Sequence, residues 1–218
     1  MTGAIVLPKL VIAGLKVAGP LFTYGLQAAA LDNARSIFKN KSTGDLSALP
    51  FVALFANCLV WSYYGFLAND QSVLYANGLG VVVGLISTVV FQMFTKKTPL
   101  VEYALALGAV GSATHFFLQS SSQQVGLLGN LLAVVMLASP LATFKTVVDS
   151  KSTESLPFIT SLNSLGSALS WTLYGALVAH DPLVYTPSAL GLIPVALQFG
   201  LYAKYGMPPS KKLKANMF

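Results

Sequence analysis

Seven apolar stretches, each near the length that crosses a bilayer, dominate this chain: Leu10–Leu31, Ser47–Leu67, Val73–Thr95, Leu100–Leu118, Val125–Val148, Leu156–Ala179 and Leu183–Tyr205. A hydrocarbon core about 30 Å thick is spanned by about 20 helical residues. The stretches are too long and too poor in strict alternation for barrel strands, whereas a helix satisfies its own backbone groups in lipid. Only 9% of the 218 residues are charged and 55% are hydrophobic, with a mean hydropathy of +0.68. So few charges cannot cover a water-soluble surface. The expected fold is an all-α membrane protein of seven transmembrane helices, with connections such as Ala68-Asn69-Asp70-Gln71-Ser72 too short for a soluble domain. The first stretch is too long for a secretory signal. Cys58, the single cysteine, excludes an intrachain disulfide and reads as a small packing residue.

Charge sets an orientation. With seven spans, alternate connections share a side, and one side collects Arg35, Lys39, Lys41, Lys96, Lys97, Lys145, Lys151, Lys204, Lys211, Lys212 and Lys214, while the other receives Lys9 alone. That is the positive-inside pattern, and it places the C-terminus in the cytosol and the N-terminus outside or in a lumen. The net charge of +6 is then a topogenic, membrane-surface charge, with no call for nucleic acid.

The chain also repeats itself. Lys41-Ser42-Thr43 matches Lys151-Ser152-Thr153 at an offset of 110 residues, as do Leu46 with Leu156, Trp61 with Trp171, and Tyr64-Gly65 with Tyr174-Gly175. After one inserted residue, expected in the loop, the offset becomes 111 and pairs Asp70 with Asp181 and Gly80 with Gly191. Helices 1–3 thus correspond to helices 5–7. The unmatched helix 4 restores the orientation that an odd-numbered repeat would invert, giving two parallel three-helix bundles related by a pseudo-two-fold axis along the membrane normal. The expected units are residues 1–97 for the first bundle, 98–124 for the linker helix, 125–206 for the second bundle and 207–218 for a cytosolic tail. A two-fold interface through the bilayer is the natural place for a substrate path.

Trp61 and Trp171 lie about 9–12 Å of helical rise from the outer ends of helices 2 and 6. Asn77 and its repeat partner Ser188 lie at a similar depth in helices 3 and 7. Taken singly, a membrane tryptophan is an interfacial belt residue. Symmetric placement favours a ring of two flat apolar faces and two hydrogen-bonding groups, the combination a sugar needs. Pro50 and Pro157 sit near the starts of helices 2 and 6 and Pro140 inside helix 5, where proline makes a hinge; the position equivalent to Pro140 in helix 1 is Ala30. At the outer side, Tyr64 toward Asp181 and Tyr174 toward Asp70 could close a gate.

These residues resemble the SWEET (MtN3/saliva) family over essentially the whole chain. The carriers are Lys-Ser-Thr after helices 1 and 5, Asn57-Cys58 with Tyr64-Gly65, Asn77-Gly78, Ala138-Ser139-Pro140-Leu141, and Ser170-Trp171 with Tyr174-Gly175. The resemblance implies facilitated diffusion of mono- or disaccharides by alternating access, with no ion coupling. No paired carboxylates, metal-ligand cluster, nucleophile elbow or phosphate loop is expected in a shared cavity, so no enzymatic activity, metal or cofactor is expected either. It implies sugar-binding positions Asn77 and Ser188 flanked by Trp61 and Trp171, wall positions Leu26 and Met136 that set substrate size, and a hinge set of Ala30, Pro50, Pro140 and Pro157. Two departures stand out: Ser188 where an asparagine is expected, and Ala30 where a proline is. Tryptophan on both walls points to a monosaccharide such as glucose. The partners expected are the sugar and membrane lipid, with homo-oligomerisation left open. The plasma membrane is the expected location, with vacuolar or other endomembranes as alternatives. A proton-coupled PQ-loop amino-acid exporter is the main rival. It wants a Pro-Gln dipeptide and a midplane titratable group, whereas Lys16, Glu102 and His115 all lie near span ends. A non-transporting sorting receptor would need several buried charges.

Overall fold

A computed structural model describes residues 7–44, 46–96, 98–117, 121–136 and 139–208, with backbone alone at 106, 109, 110, 112–117, 135 and 139–142. Of the residues singled out above, Lys97, Leu118, Ala138, Lys211, Lys212 and Lys214 lie outside this description. The elements are α1 (Lys9–Asn40), α2 (Leu49–Leu67), α3 (Gln71–Phe94), α4 (Leu100–Phe117), α5 (Ser122–Met136), α6 (Ser139–Ser150), α7 (Phe158–Tyr174) and α8 (Pro182–Tyr205), with a π-helical turn Gly175–Ala179 continuing α7. α5 and α6 flank residues 137–138 and share the fifth apolar stretch. Counted so, the chain is an all-α membrane protein of seven spans. Among the described residues four helices, α1, α2, α3 and α8, are by themselves long and apolar enough to cross a membrane. Large apolar side chains such as Leu79, Val82, Leu85, Ile86 and Val89 of α3 are exposed, as lipid-facing residues are.

Helix α1 runs nine residues past the apolar stretch that ends at Leu31, to 32 residues or about 48 Å. Apolarity marks the bilayer, not the helix. In the polar extension Ala34 and Ile37 are buried, and Ile37 packs with Ala48, Phe51, Val52 and Phe91. The helix ends at Lys41, whose φ of 51° is left-handed and whose N–H bonds back to Ile37. Lys151 ends α6 with the same φ of 51°. Ser42 and Ser152 then each accept, on the side-chain oxygen, the N–H two residues on. The Lys-Ser-Thr repeat is therefore a helix stop followed by a serine-closed turn.

The other two left-handed non-glycine residues among those described, Asn69 and His180, are also repeat partners, one residue before Asp70 and Asp181. Here the structure corrects the sequence reading: the inserted residue lies in the π turn Gly175–Ala179, not in the loop. A wider turn absorbs it and leaves the start of α8 in register with the start of α3. The N–H of Asp70 bonds to the Gly65 carbonyl and that of Asp181 to the Gly175 carbonyl, both at 2.8 Å. Glycine is needed at both places. A Cβ on Gly65 would lie 2.6 Å from the Leu74 nitrogen, and one on Gly175 would lie 2.7 Å from the Tyr185 nitrogen.

Within each bundle the third helix packs on both others: α3 on α1 and α2, and α8 on α5 and α7. Between bundles α1 packs on α7 and α5 on α2, the two contacts that the pseudo-two-fold axis exchanges. α4 lies against α2 and α5. We call the end carrying Asp70 and Asp181 the aspartate end and that carrying Lys41 and Lys151 the lysine end. At the lysine end each bundle keeps its own core: Ile37, Ala48, Phe51, Val52 and Phe91 in the first, Phe144, Val147, Leu156 and Tyr202 in the second. At the aspartate end one cluster joins them, with Val60, Trp61, Tyr64 and Val73 packed against Val125, Tyr174 and Val184.

The two lysine-end cores solve one problem differently. Phe51 and Phe91 pack with ring centroids 5.7 Å apart, whereas their repeat partners Ser161 and Tyr202 share a buried hydrogen bond of 2.8 Å, and the Tyr202 hydroxyl also reaches the Leu156 carbonyl at 3.1 Å. Tyr202→Phe should leave the buried Ser161 hydroxyl unpaired and cost about 1–3 kcal/mol. Adding Ser161→Ala should restore part of that loss. Thermal unfolding in detergent tests this, and equal melting temperatures for the single and double variants would rule out the orphaned hydroxyl as the cause.

Candidate functional site

A cavity of about 400 Å³ lies between the bundles, walled by residues of α1, α2, α3, α5, α7 and α8. The six positions expected to face a substrate, Asn77, Ser188, Trp61, Trp171, Leu26 and Met136, all line it. Asn77 and Ser188 each lie seven residues after the aspartate that starts their helix, about 10 Å of rise. Each gives one donor to its own helix: the Asn77 amide to the Val73 carbonyl at 2.9 Å, the Ser188 hydroxyl to the Val184 carbonyl at 3.3 Å. Asn77 thus keeps one N–H and its oxygen for a ligand. Ser188 keeps only acceptor capacity.

The tryptophans are held by glycines in the opposite bundle. A Cβ on Gly129 of α5 would lie 2.8 Å from the Trp61 ring, and one on Gly19 of α1 would lie 2.9 Å from the Trp171 ring. Gly19 and Gly129 are themselves repeat partners, a match at offset 110 that was not among those drawn from the sequence. The indole N–H groups differ. That of Trp171 donates to the Thr23 hydroxyl at 2.9 Å, and Thr23 donates onward to the Gly19 carbonyl at 2.9 Å. The residue facing Trp61 in the equivalent place is Ala133, which offers no acceptor. Thr23, Gln27, Asn57, Cys58 and Ser167 also line the cavity. Gln27 was visible only as a lone amide in an apolar run.

Toward the aspartate end the cavity stops at a crossed pair. The Tyr64 hydroxyl donates to Asp181, and the Tyr174 hydroxyl donates to both oxygens of Asp70 at 2.8 Å. Each phenol reaches across the bundle interface. The aspartates are fixed from behind, because each accepts an N–H of the helix it starts: Val73 on Asp70 at 3.1 Å and Leu183 on Asp181 at 2.9 Å. Tyr64 and Tyr174 are buried, and each ring meets the neighbouring tryptophan edge-on, at 5.3 Å for Trp61 and 5.6 Å for Trp171. A second, polar recess of about 410 Å³ lies outside these pairs, lined by Lys16, Asn69, Gln71 and both aspartates. Lys16 is exposed there. Of the expected hinge set, Pro50 and Pro157 start α2 and cap α7, and both are exposed. Pro140 is the second residue of α6, and Ala30 lies within the unbroken α1.

A cavity on the two-fold interface of a parallel helical repeat, closed at one end by cross-bundle hydrogen bonds, is the architecture of a membrane carrier. The chain belongs to the family described as sugar efflux transporters for intercellular exchange, whose model matches residues 13–99 and again 123–211, two copies set 110 residues apart like the repeat itself. Its relatives include the bidirectional sugar transporter SWEET7b of Oryza sativa subsp. indica, 31% identical across 96% of this chain and 84% of that one. They also include the bidirectional sugar transporter SWEET2 of Arabidopsis thaliana, 33% identical across 87% of this chain and 85% of that one. The sugar transporter SWEET1 of Mus musculus is 28% identical across 93% of this chain and 94% of that one. A solved eukaryotic SWEET transporter superposes with a TM-score of 0.79 at 31% identity, covering 90% of this chain and 97% of that one.

The crossed pairs make a test. Tyr174→Phe removes the donor to Asp70 and should loosen the aspartate end. Cys58, buried on the cavity wall, is a native reporter. With a membrane-impermeant maleimide confined to the aspartate-end side of proteoliposomes, labelling of Cys58 should be about five- to 150-fold faster in the variant, the range that 1–3 kcal/mol spans. Equal labelling rates would show that the pair does not restrain this end.

Proposed function

We propose that this chain carries a monosaccharide such as glucose across a membrane by uncoupled, bidirectional alternating access. The observation that carries the reading is the cavity itself: each bundle contributes one indole, Trp61 or Trp171, and one hydrogen-bonding side chain, Asn77 or Ser188, to its lining. Ring C–H faces of a sugar stack on the indoles while its hydroxyls pair with the amide and hydroxyl groups. None of the described residues lining the cavity is charged, so they offer nothing for an ionic substrate to pair with and no acid or base to couple a proton. The relatives named as sugar transporters in rice, Arabidopsis and mouse point to the same class.

In this reading the Tyr64–Asp181 and Tyr174–Asp70 pairs are the outer gate, and the aspartate end faces the exterior or lumen of the plasma membrane or an endomembrane. The lysine end faces the cytosol, in line with its basic residues. Pro50, Pro140 and Pro157, with Ala30, occupy the positions at which the bundles flex. Labelled glucose should equilibrate into proteoliposomes at the same rate with and without a proton gradient, and sucrose should enter more slowly. Gradient-dependent accumulation would sink the uncoupled reading, and sucrose entering as fast as glucose would sink the monosaccharide assignment.

The hinge yields its own expectation. Ala30 keeps an N–H inside α1 that proline would remove, so α1 resists bending there. Ala30→Pro should therefore speed sugar exchange more than it changes equilibrium binding. Unchanged exchange in a folded variant would mean that Ala30 is a packing residue.

A further inference from the structure

Gln27 is the most deeply buried polar side chain on the cavity wall, at 2% exposure. Its Nε2 donates 2.9 Å to the Ala76 carbonyl of α3. That carbonyl selects the orientation of the amide, since the reverse would set oxygen against oxygen. The other end, Oε1, is buried with no hydrogen-bond partner among the described residues. Asn57 of α2, on the same wall, likewise has a buried Oδ1 without a partner among them. Gly80 preserves the space that Gln27 occupies, since a Cβ there would lie 2.6 Å from Nε2. A buried amide oxygen without a donor is unfavourable, and two on one wall call for a ligand that brings several donors.

With no carboxylate among the described lining residues, an amine would enter without a counter-charge, so the matching donors are the hydroxyls of a neutral polyol. The repeat partner of Gln27 is Leu137, which supplies no such acceptor. We infer that Gln27 is a substrate-binding residue: its Oε1 accepts a hydrogen bond from one sugar hydroxyl and holds the sugar toward the first bundle. This rests on the sugar-carrier reading, deepens it, and gives the site a handedness that the two-fold backbone lacks.

The test is equilibrium binding of glucose and its monodeoxy analogues to the full chain in detergent, for the native sequence and for Gln27→Met, which keeps the side-chain length and removes the acceptor. The native protein should bind one deoxy analogue about tenfold more weakly than glucose. Gln27→Met should weaken glucose about tenfold and leave that one analogue unchanged, erasing the preference. A uniform loss across all analogues would mark Gln27 as structural, and an unchanged set would show that it touches no sugar; either overturns the inference. Gln27→Asn, which withdraws the amide by one methylene, carries the same comparison if the methionine variant fails to fold. A native protein that binds no monosaccharide would instead sink the carrier reading, and this inference with it.

Discussion

Two aspartates hold the aspartate end of this molecule together. Asp70 and Asp181 each cap the helix they start, so their carboxylates are fixed to their own bundle, and each accepts the phenol of a tyrosine from the opposite bundle. The cross-bundle apolar cluster of Trp61, Tyr64, Val125, Tyr174 and Val184 assembles around those bonds, and the cavity lies directly beneath. The π turn at Gly175–Ala179 makes sense in these terms. An extra residue in the second repeat would otherwise displace Asp181 from its phenol, and the wider turn keeps it in place.

The backbone of the repeat is better preserved than its chemistry. All four described left-handed non-glycine residues fall into repeat pairs, and both tryptophans rest on paired glycines. The side chains diverge: Thr23 faces Trp171 but Ala133 stands in its place for Trp61, Asn77 answers to Ser188, and Gln27 to Leu137. Packing of like elements constrains backbone and small residues on both sides equally. A ligand without two-fold symmetry imposes no such equality, and the amides lining the cavity, Gln27, Asn57 and Asn77, all belong to the first bundle.

This difference also explains how far the amino-acid sequence alone was legible. Span number and bundle arrangement could be read because lipid admits only helices here and the offset of 110 pairs them. The crossed tyrosine and aspartate pairs could be read because a two-fold axis sends each member to the other bundle. Thr23 and Gln27 escaped notice because their repeat partners, Ala133 and Leu137, do not share their chemistry, and their importance depends on where a side chain points. The length of α1 escaped because its last turns leave the apolar stretch yet stay helical through Ala34 and Ile37, which are buried by shape rather than by a run of hydrophobicity.

The arrangement of cores bears on how the proposed transport cycle could proceed. At the lysine end the apolar clusters are internal to each bundle, so separating the bundles there leaves both clusters intact. At the aspartate end the cluster spans both bundles, so opening must unseat two indoles from glycines and release two phenols from carboxylates. Hydrogen bonds to charged groups contribute about 1.5–3 kcal/mol each. Water entering the opened end replaces them in part, and a gap of a few kcal/mol between two states is the scale at which a ligand can shift the balance. The Thr23–Trp171 bond adds to the closed side of that balance on one edge of the interface only. Opening is therefore expected to begin at the Trp61–Gly129 edge, where no described residue accepts from the indole N–H, and to finish at Trp171.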